Sequence, residues 1–171
     1  MPGYGHTAQV ADEFTRPANA TPYAAGDAVA AATTDTGTTP LRALVLARTA
    51  GGTGYIVRVR LWTDQAANVA TFRVHFYKVA QPTTAVVGDN EQMTLKYTNF
   101  LQRVGHVDLP AMKTSTVSTN STAAEASDST LRIPFDCEAE SRNLYYRLET
   151  LTAFTPASGQ KFYLEVGVEN N

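Results

Sequence analysis

The chain has 171 residues, with 14 Lys and Arg against 16 Asp and Glu, for a formal net charge of −2. That length suits one domain, and a charge balance with no basic excess argues against a protein that coats nucleic acid. Charged residues at 18% and hydrophobic residues at 43% exclude both a wholly disordered chain and one built to live within a bilayer.

Residues 1–27 contain Pro2, Pro17 and Pro22 and show no sustained period, which reads as an N-terminal arm with Phe14 and Tyr23 as anchors. The opening residues lack the basic and apolar regions of a secretory signal, so synthesis in a reducing cytosol is expected. Residues 28–40 are small and polar and read as a loop or an irregular edge strand.

From residue 41 the period becomes two. LRALVLART, YIVRVRLW at 55–62 and VATFRVHFYKV at 69–79 are strand candidates, with GGTG at 51–54 as a hairpin turn. In the second run Tyr55, Val57, Val59 and Leu61 share one face, and Ile56, Arg58, Arg60 and Trp62 the other. In the third, Phe72, Val74 and Phe76 lie opposite Arg73, His75 and Tyr77. The three runs together predict an antiparallel meander with one buried face.

Residues 91–105 predict a short helix or irregular connection leading into the strand VGHVDLP. Residues 113–130 are nearly all Ser, Thr and Ala and predict a long polar loop. Three further strands follow: LRIPF, then LYYRLETL with Leu144, Tyr146 and Leu148 on one face, then KFYLEVGVE with Phe162, Leu164, Val166 and Val168 on one face. Seven or eight strands without a long helix predict an all-β domain over 28–171, a β-sandwich of jelly-roll or Greek-key type.

Chemistry-bearing patterns are sparse. His6, His75 and His106 lack metal-ligand spacing. Cys137 stands alone, which excludes an intrachain disulfide and a cysteine-built zinc cluster. No G-x-S-x-G elbow or phosphate loop occurs. Asp89-Asn90-Glu91 reads as a turn rather than a calcium loop. The apolar run LRALVLA is too short to span a bilayer. These readings predict no enzyme activity, no metal or cofactor, and neither nucleic acid nor membrane as partner. Arg58, Arg60, Trp62, Arg73, His75 and Tyr77 fall on the same type of face of two strands. If those strands pair, they form a patch of the residue types enriched at interface hot spots.

FTRPANATPYAAGDAVA at 14–30, LVLARTAGGTGYIVRVRLWTD at 44–64, FRVHFYK and VGDNEQMTL resemble a recurrent small structural protein of tailed bacteriophages. The matching positions are Arg16-Pro17, Tyr23, Gly26-Asp27, Gly51-Gly52, Gly54 and Asp89-Asn90, within roughly residues 14–109. The resemblance implies a head decoration or cement protein with a jelly-roll core. Such a protein sits on the capsid surface of the virion, clamps neighbouring subunits of the major capsid protein, and associates with itself as a trimer or dimer. Candidate interface residues are Phe14, Arg16, Tyr23, Arg58, Arg60, Trp62, Arg73 and Tyr77. The competing expectation is a tail or fibre module that binds a carbohydrate or host receptor.

Overall fold

The structure is a computed structural model that describes residues 6–31, 41–80, 87–95, 97–114 and 123–171. Among the described residues, eleven strands and one helical turn follow in chain order: β1 (His6–Thr15), β2 (Ala28–Val29), β3 (Arg42–Val45), β4 (Thr53–Thr63), β5 (Phe72–Tyr77), α1 (Tyr97–Phe100), β6 (Arg103–Asp108), β7 (Lys113–Thr114), β8 (Ala124–Asp128), β9 (Ile133–Asp136), β10 (Asn143–Thr150) and β11 (Lys161–Asn170). They form two antiparallel sheets. The first runs β1-β11-β4, then β8 and β9 end to end along β4, with β7 beyond β8. In the second, β10 lies between β5 and the short strands β2 and β3, and β6 pairs beyond β5. This interleaving, in which late strands sit between early ones in both sheets, is the jelly-roll order.

The alternation read in the last two strands defines the core. Leu144, Tyr146 and Leu148 of β10 face Phe162, Leu164, Val166 and Val168 of β11 across the filling, and all are buried. Phe14, Phe72 and Phe162 close one end, with Phe72 and Phe162 edge to face at 5.7 Å between centroids. Burial of apolar area at about 25 cal/mol per Å² is the driving term for such a core.

Three sequence expectations change. The meander does not form: β4 belongs to one sheet while β3 and β5 flank β10 in the other. Residues 46–52 and 64–71 therefore cross between sheets instead of turning hairpins. The segment 1–27, read as an arm, contains the ten-residue strand β1, paired with β11 from His6↔Asn170 to Thr15↔Lys161. Within the stretch 113–130, β7 and β8 pair through Lys113↔Glu125 and Thr114↔Ala124, and residues 115–122 of the predicted loop lie outside the described residues.

A β-bulge in β4 alters one face assignment. Val168 pairs with Ile56 while Gly167 pairs with Arg58, leaving Val57 as the extra residue. The inward set is thus Ile56, then Val59 and Leu61, each 0% exposed, and Tyr55 and Val57 are only half-buried.

Candidate protein interface

The segment after β1 holds the residues that carried the resemblance, and it folds them inward. The side chains of Arg16 and Asp89 are both 0% exposed and meet at 3.0 Å. Arg16 Nε donates to Tyr23 Oη at 2.9 Å, and its Nη2 also donates to Asn19 Oδ1 at 3.0 Å. Tyr23 Oη in turn donates to Asp89 Oδ1, which also accepts from Ala30 N at 3.0 Å. Burial, followed by the neighbouring carboxylate, pushes the Tyr23 phenol well above its usual value, so it serves as a donor at every ordinary pH. Asp27 caps the adjoining turn by accepting from Ala24 N at 2.6 Å, and Gly26 takes φ 93°, which an L side chain resists. The acidic trio is a turn, as expected. Asn90 has φ 63°, and Glu91 Oε2 accepts from Gly88 N at 2.8 Å.

Phe14, Arg16 and Tyr23 are therefore internal anchors: they are 4%, 2% and 2% exposed. Phe14 stacks on Phe162 at 5.6 Å, and Tyr23 on Phe154 at 4.8 Å. With their surfaces spent on the chain's own core, they have none to offer a neighbour in this conformation.

The remaining candidates divide between two opposite surfaces, because β4 and β5 lie in different sheets. On the outer face of the first sheet, one row crosses four strand pairs in register: Glu13↔Tyr163, Tyr163↔Trp62, Trp62↔Glu125 and Glu125↔Lys113. Trp62 and Tyr163 lie 5.2 Å apart, and Trp62 Nε1 donates to Glu125 Oε2 at 2.9 Å. The next row sets Arg60 beside Glu165. The Arg60 guanidinium lies 4.3 Å over the Trp62 ring and pairs with Glu165 at 3.7 Å. Arg58 Nη2 donates to Glu165 Oε1 at 2.8 Å. The arginines are thus braced on the indole and on Glu165 while remaining about a third exposed. A rigid aromatic ring with a pre-positioned guanidinium gives contact area at small entropic cost on binding. Tyr163, Glu125 and Glu165 belong to this surface, yet sequence patterns alone do not single them out. Their outward phase in β11 and β8 is visible in the sequence, but their adjacency to Trp62 depends on pairing register.

Arg73 and Tyr77 lie on the outer face of the second sheet. Arg73 holds Asp108 with two bonds, of 2.5 and 2.7 Å, and lies 3.9 Å from Glu149. The Tyr77 side chain is buried against Leu41, Leu95 and Tyr145, and burial pushes its phenol up to about 12. It is a packing residue, not an exposed contact. His75, between them, is 0% exposed with Nε2 2.6 Å from Glu149 Oε2, and it pairs in register with His106 on β6 and Arg147 on β10. Next to this sheet, the helical turn α1 and the residue that follows it expose Tyr97, Phe100 and Leu101, a small apolar tip that sequence periodicity does not single out. Among the described residues no cluster of His, Cys, Asp and Glu has a metal-binding arrangement, and no helix is long and apolar enough to cross a membrane.

No family model matches the chain, and no curated protein matches it. Among solved structures, a chain of the acidic stable capsid of Helicobacter pylori bacteriophage KHP30 is similar over 97% of this chain and 93% of its own, at 12% identity and a TM-score of 0.31. A likeness that distant carries no argument about function.

Proposed function

We propose that this chain is a virion structural protein that binds the outside of a phage capsid and cements neighbouring major capsid subunits. The observation that carries the reading is the motif set itself. Arg16, Tyr23, Asp27 and Asp89, which resemble positions of head decoration proteins, converge on one turn-and-staple unit although they are up to 73 residues apart. A motif of that kind marks a shared way of folding, and the role it accompanies needs no chemistry. The outer face of the first sheet supplies a surface of suitable composition, with Arg58, Arg60, Trp62 and Tyr163 braced for contact.

A protein that binds the assembled shell and not its free subunits stabilises the shell by mass action. Many copies on one particle multiply a modest contact energy. The test is the copy number and location of the protein in purified virions. Hundreds of copies over the head are expected. A few copies at the tail, with glycan binding by the isolated protein, would replace this reading with that of a receptor-binding module.

A further inference from the structure

β1 is an edge strand, and the hydrogen-bond phase of its open side can be worked out. Arg16 N donates to Gln160 O at 3.0 Å, one step beyond Thr15↔Lys161 in the same register. In an antiparallel ladder hydrogen-bonded pairs alternate with non-bonded ones. Even-numbered residues of β1 therefore bond to β11, and odd-numbered residues aim their N–H and C=O groups away from it. Arg42 agrees with this phase: its Nη2 reaches the Glu13 carbonyl on the open side at 2.9 Å. Arg42 and β3 cover the edge at that point. Among the described residues no strand pairs with the remainder, where Thr7, Gln9 and Ala11 present six backbone groups.

Natural edges are blunted by Lys, Pro, bulges or inward charges. Residues 7–11, TAQVA, hold no Lys, Pro or charge, and the register of β1 is unbroken over all ten residues. The inward charge nearby, Asp12, is neutralised by Arg42 and accepts from Tyr146 Oη at 2.8 Å.

We infer that this edge pairs antiparallel with the same edge of a second copy, about a two-fold axis at Gln9. The segment complements itself in that register. Thr7 lies opposite the partner's Ala11, Ala8 opposite the partner's Val10, and Gln9 opposite the partner's Gln9. The odd residues then form the hydrogen-bonded pairs, as their phase requires. Ala8 and Val10, which face inward and are half-buried at the rim of the core, cover each other across the axis. No like charges meet, and an isologous contact closes after two copies, so it makes a dimer and not a fibre.

The test uses the isolated full chain, so its outcome is independent of the capsid reading. In a hydrogen-bonded antiparallel pair the Cα atoms are about 5.5 Å apart, within the span of a disulfide. Gln9→Cys should give a covalent dimer under mild oxidation in at least ten-fold higher yield than Thr7→Cys or Ala11→Cys alone. Mixing the latter two should restore cross-linking. Native Cys137 is buried, and the unmodified chain serves as its control. Gln9→Pro removes an N–H that bonds to no strand among the described residues, so β1 should persist, with an unchanged circular dichroism spectrum, while sedimentation equilibrium shifts from dimer to monomer. An unmodified chain that stays monomeric would overturn the inference, and so would a trimer or a dimer that survives Gln9→Pro. Pairing of this edge with a foreign strand alone would overturn it as well.

Discussion

His75 and Glu149 meet diagonally across the β5–β10 pair, where their register partners are Arg147 and Arg73, with Nε2 and Oε2 2.6 Å apart and the imidazole wholly buried. The Nδ1 atom has no hydrogen-bond partner among the described residues. The bond to the carboxylate fixes the neutral ring as the tautomer that carries its proton on Nε2. Burial is the larger influence and pulls the His75 pKa below the usual 6.5, even though Glu149 opposes it. His106, 6.2 Å away between ring centroids, is lowered too, by desolvation and then by Arg103 and Arg73.

Acid should therefore weaken the fold through this pair. A histidine with a lowered folded pKa takes up its proton first in the unfolded chain, so stability is lost as pH falls below about 6.5. Urea denaturation at pH 7.5 and at stepwise lower pH should show a falling midpoint. A His75→Gln variant should show a shallower decline over the same window. A midpoint flat from pH 7.5 to 5 would contradict the assignment.

The Arg16–Asp89 pair predicts an ordered series of stabilities. Asp89→Ala leaves a guanidinium buried without its charge partner and should cost about 3–5 kcal/mol. Tyr23→Phe removes one donor to Asp89 and should cost about 1–3 kcal/mol. Equilibrium unfolding of both variants checks the order; a Tyr23→Phe effect larger than that of Asp89→Ala would make the phenol, and not the ion pair, the main support of this turn.

Gly54 and Gly159 predict opposite tolerances to a side chain. A Cβ at Gly54 would lie 2.3 Å from the Glu169 carbonyl oxygen and 3.0 Å from the Phe135 ring, so the backbone of β11 would have to move. Gly54→Ala should destabilise by roughly 1–3 kcal/mol, the range for overpacking. Gly159 has φ 64° in open space, so Gly159→Asn, a residue that tolerates the left-handed region, should change stability by less than about 1 kcal/mol. Thermal melts of the two variants make the comparison.

If the outer face of the first sheet meets the shell, Trp62→Ala should weaken particle binding by about 2 kcal/mol or more, the scale of an interface hot spot. Its own fold should be little altered, since Trp62 is only half-buried on the outer face. Occupancy measured on particles stripped of the protein and re-decorated gives the result. Unchanged occupancy would remove this face from the interface.

Much of the sandwich is legible in the sequence because the inward positions of β10 and β11, Leu144, Tyr146, Leu148, Phe162, Leu164, Val166 and Val168, recur at every second residue, with Glu149, Lys161, Glu165 and Glu169 among the outward ones. Strand β1 is harder to read. It has the same period, but its inward row is Ala8, Val10, Asp12 and Phe14, and an inward aspartate erases the apolar signal unless Arg42 and Tyr146 are known to await it. Strand β8 hides for a related reason, since its inward residues are Ala124 and Ala126 in a run of Ser and Thr. The bulge at Val57 reverses a face because a one-residue slip inverts every side chain beyond it. The arginine patch is half recovered. Arg58, Arg60 and Trp62 share a surface as expected, but Arg73 and Tyr77 lie on the opposite side, and nothing local tells a chain which sheet its next strand will join.

Both sheets are centred on strands that come late: β11 lies between β1 and β4, and β10 lies between β5 and the pair β2 and β3. A nascent chain emerging from the ribosome cannot assemble either layer from its first hundred residues, because each early strand awaits a neighbour not yet translated. Structure must then arrive in one late, cooperative step through distant pairings, which is slow by the usual relation between topology and rate. Until that step, the early strands leave the tunnel unpaired, and their protection in the cell falls to whatever holds unfolded chains apart.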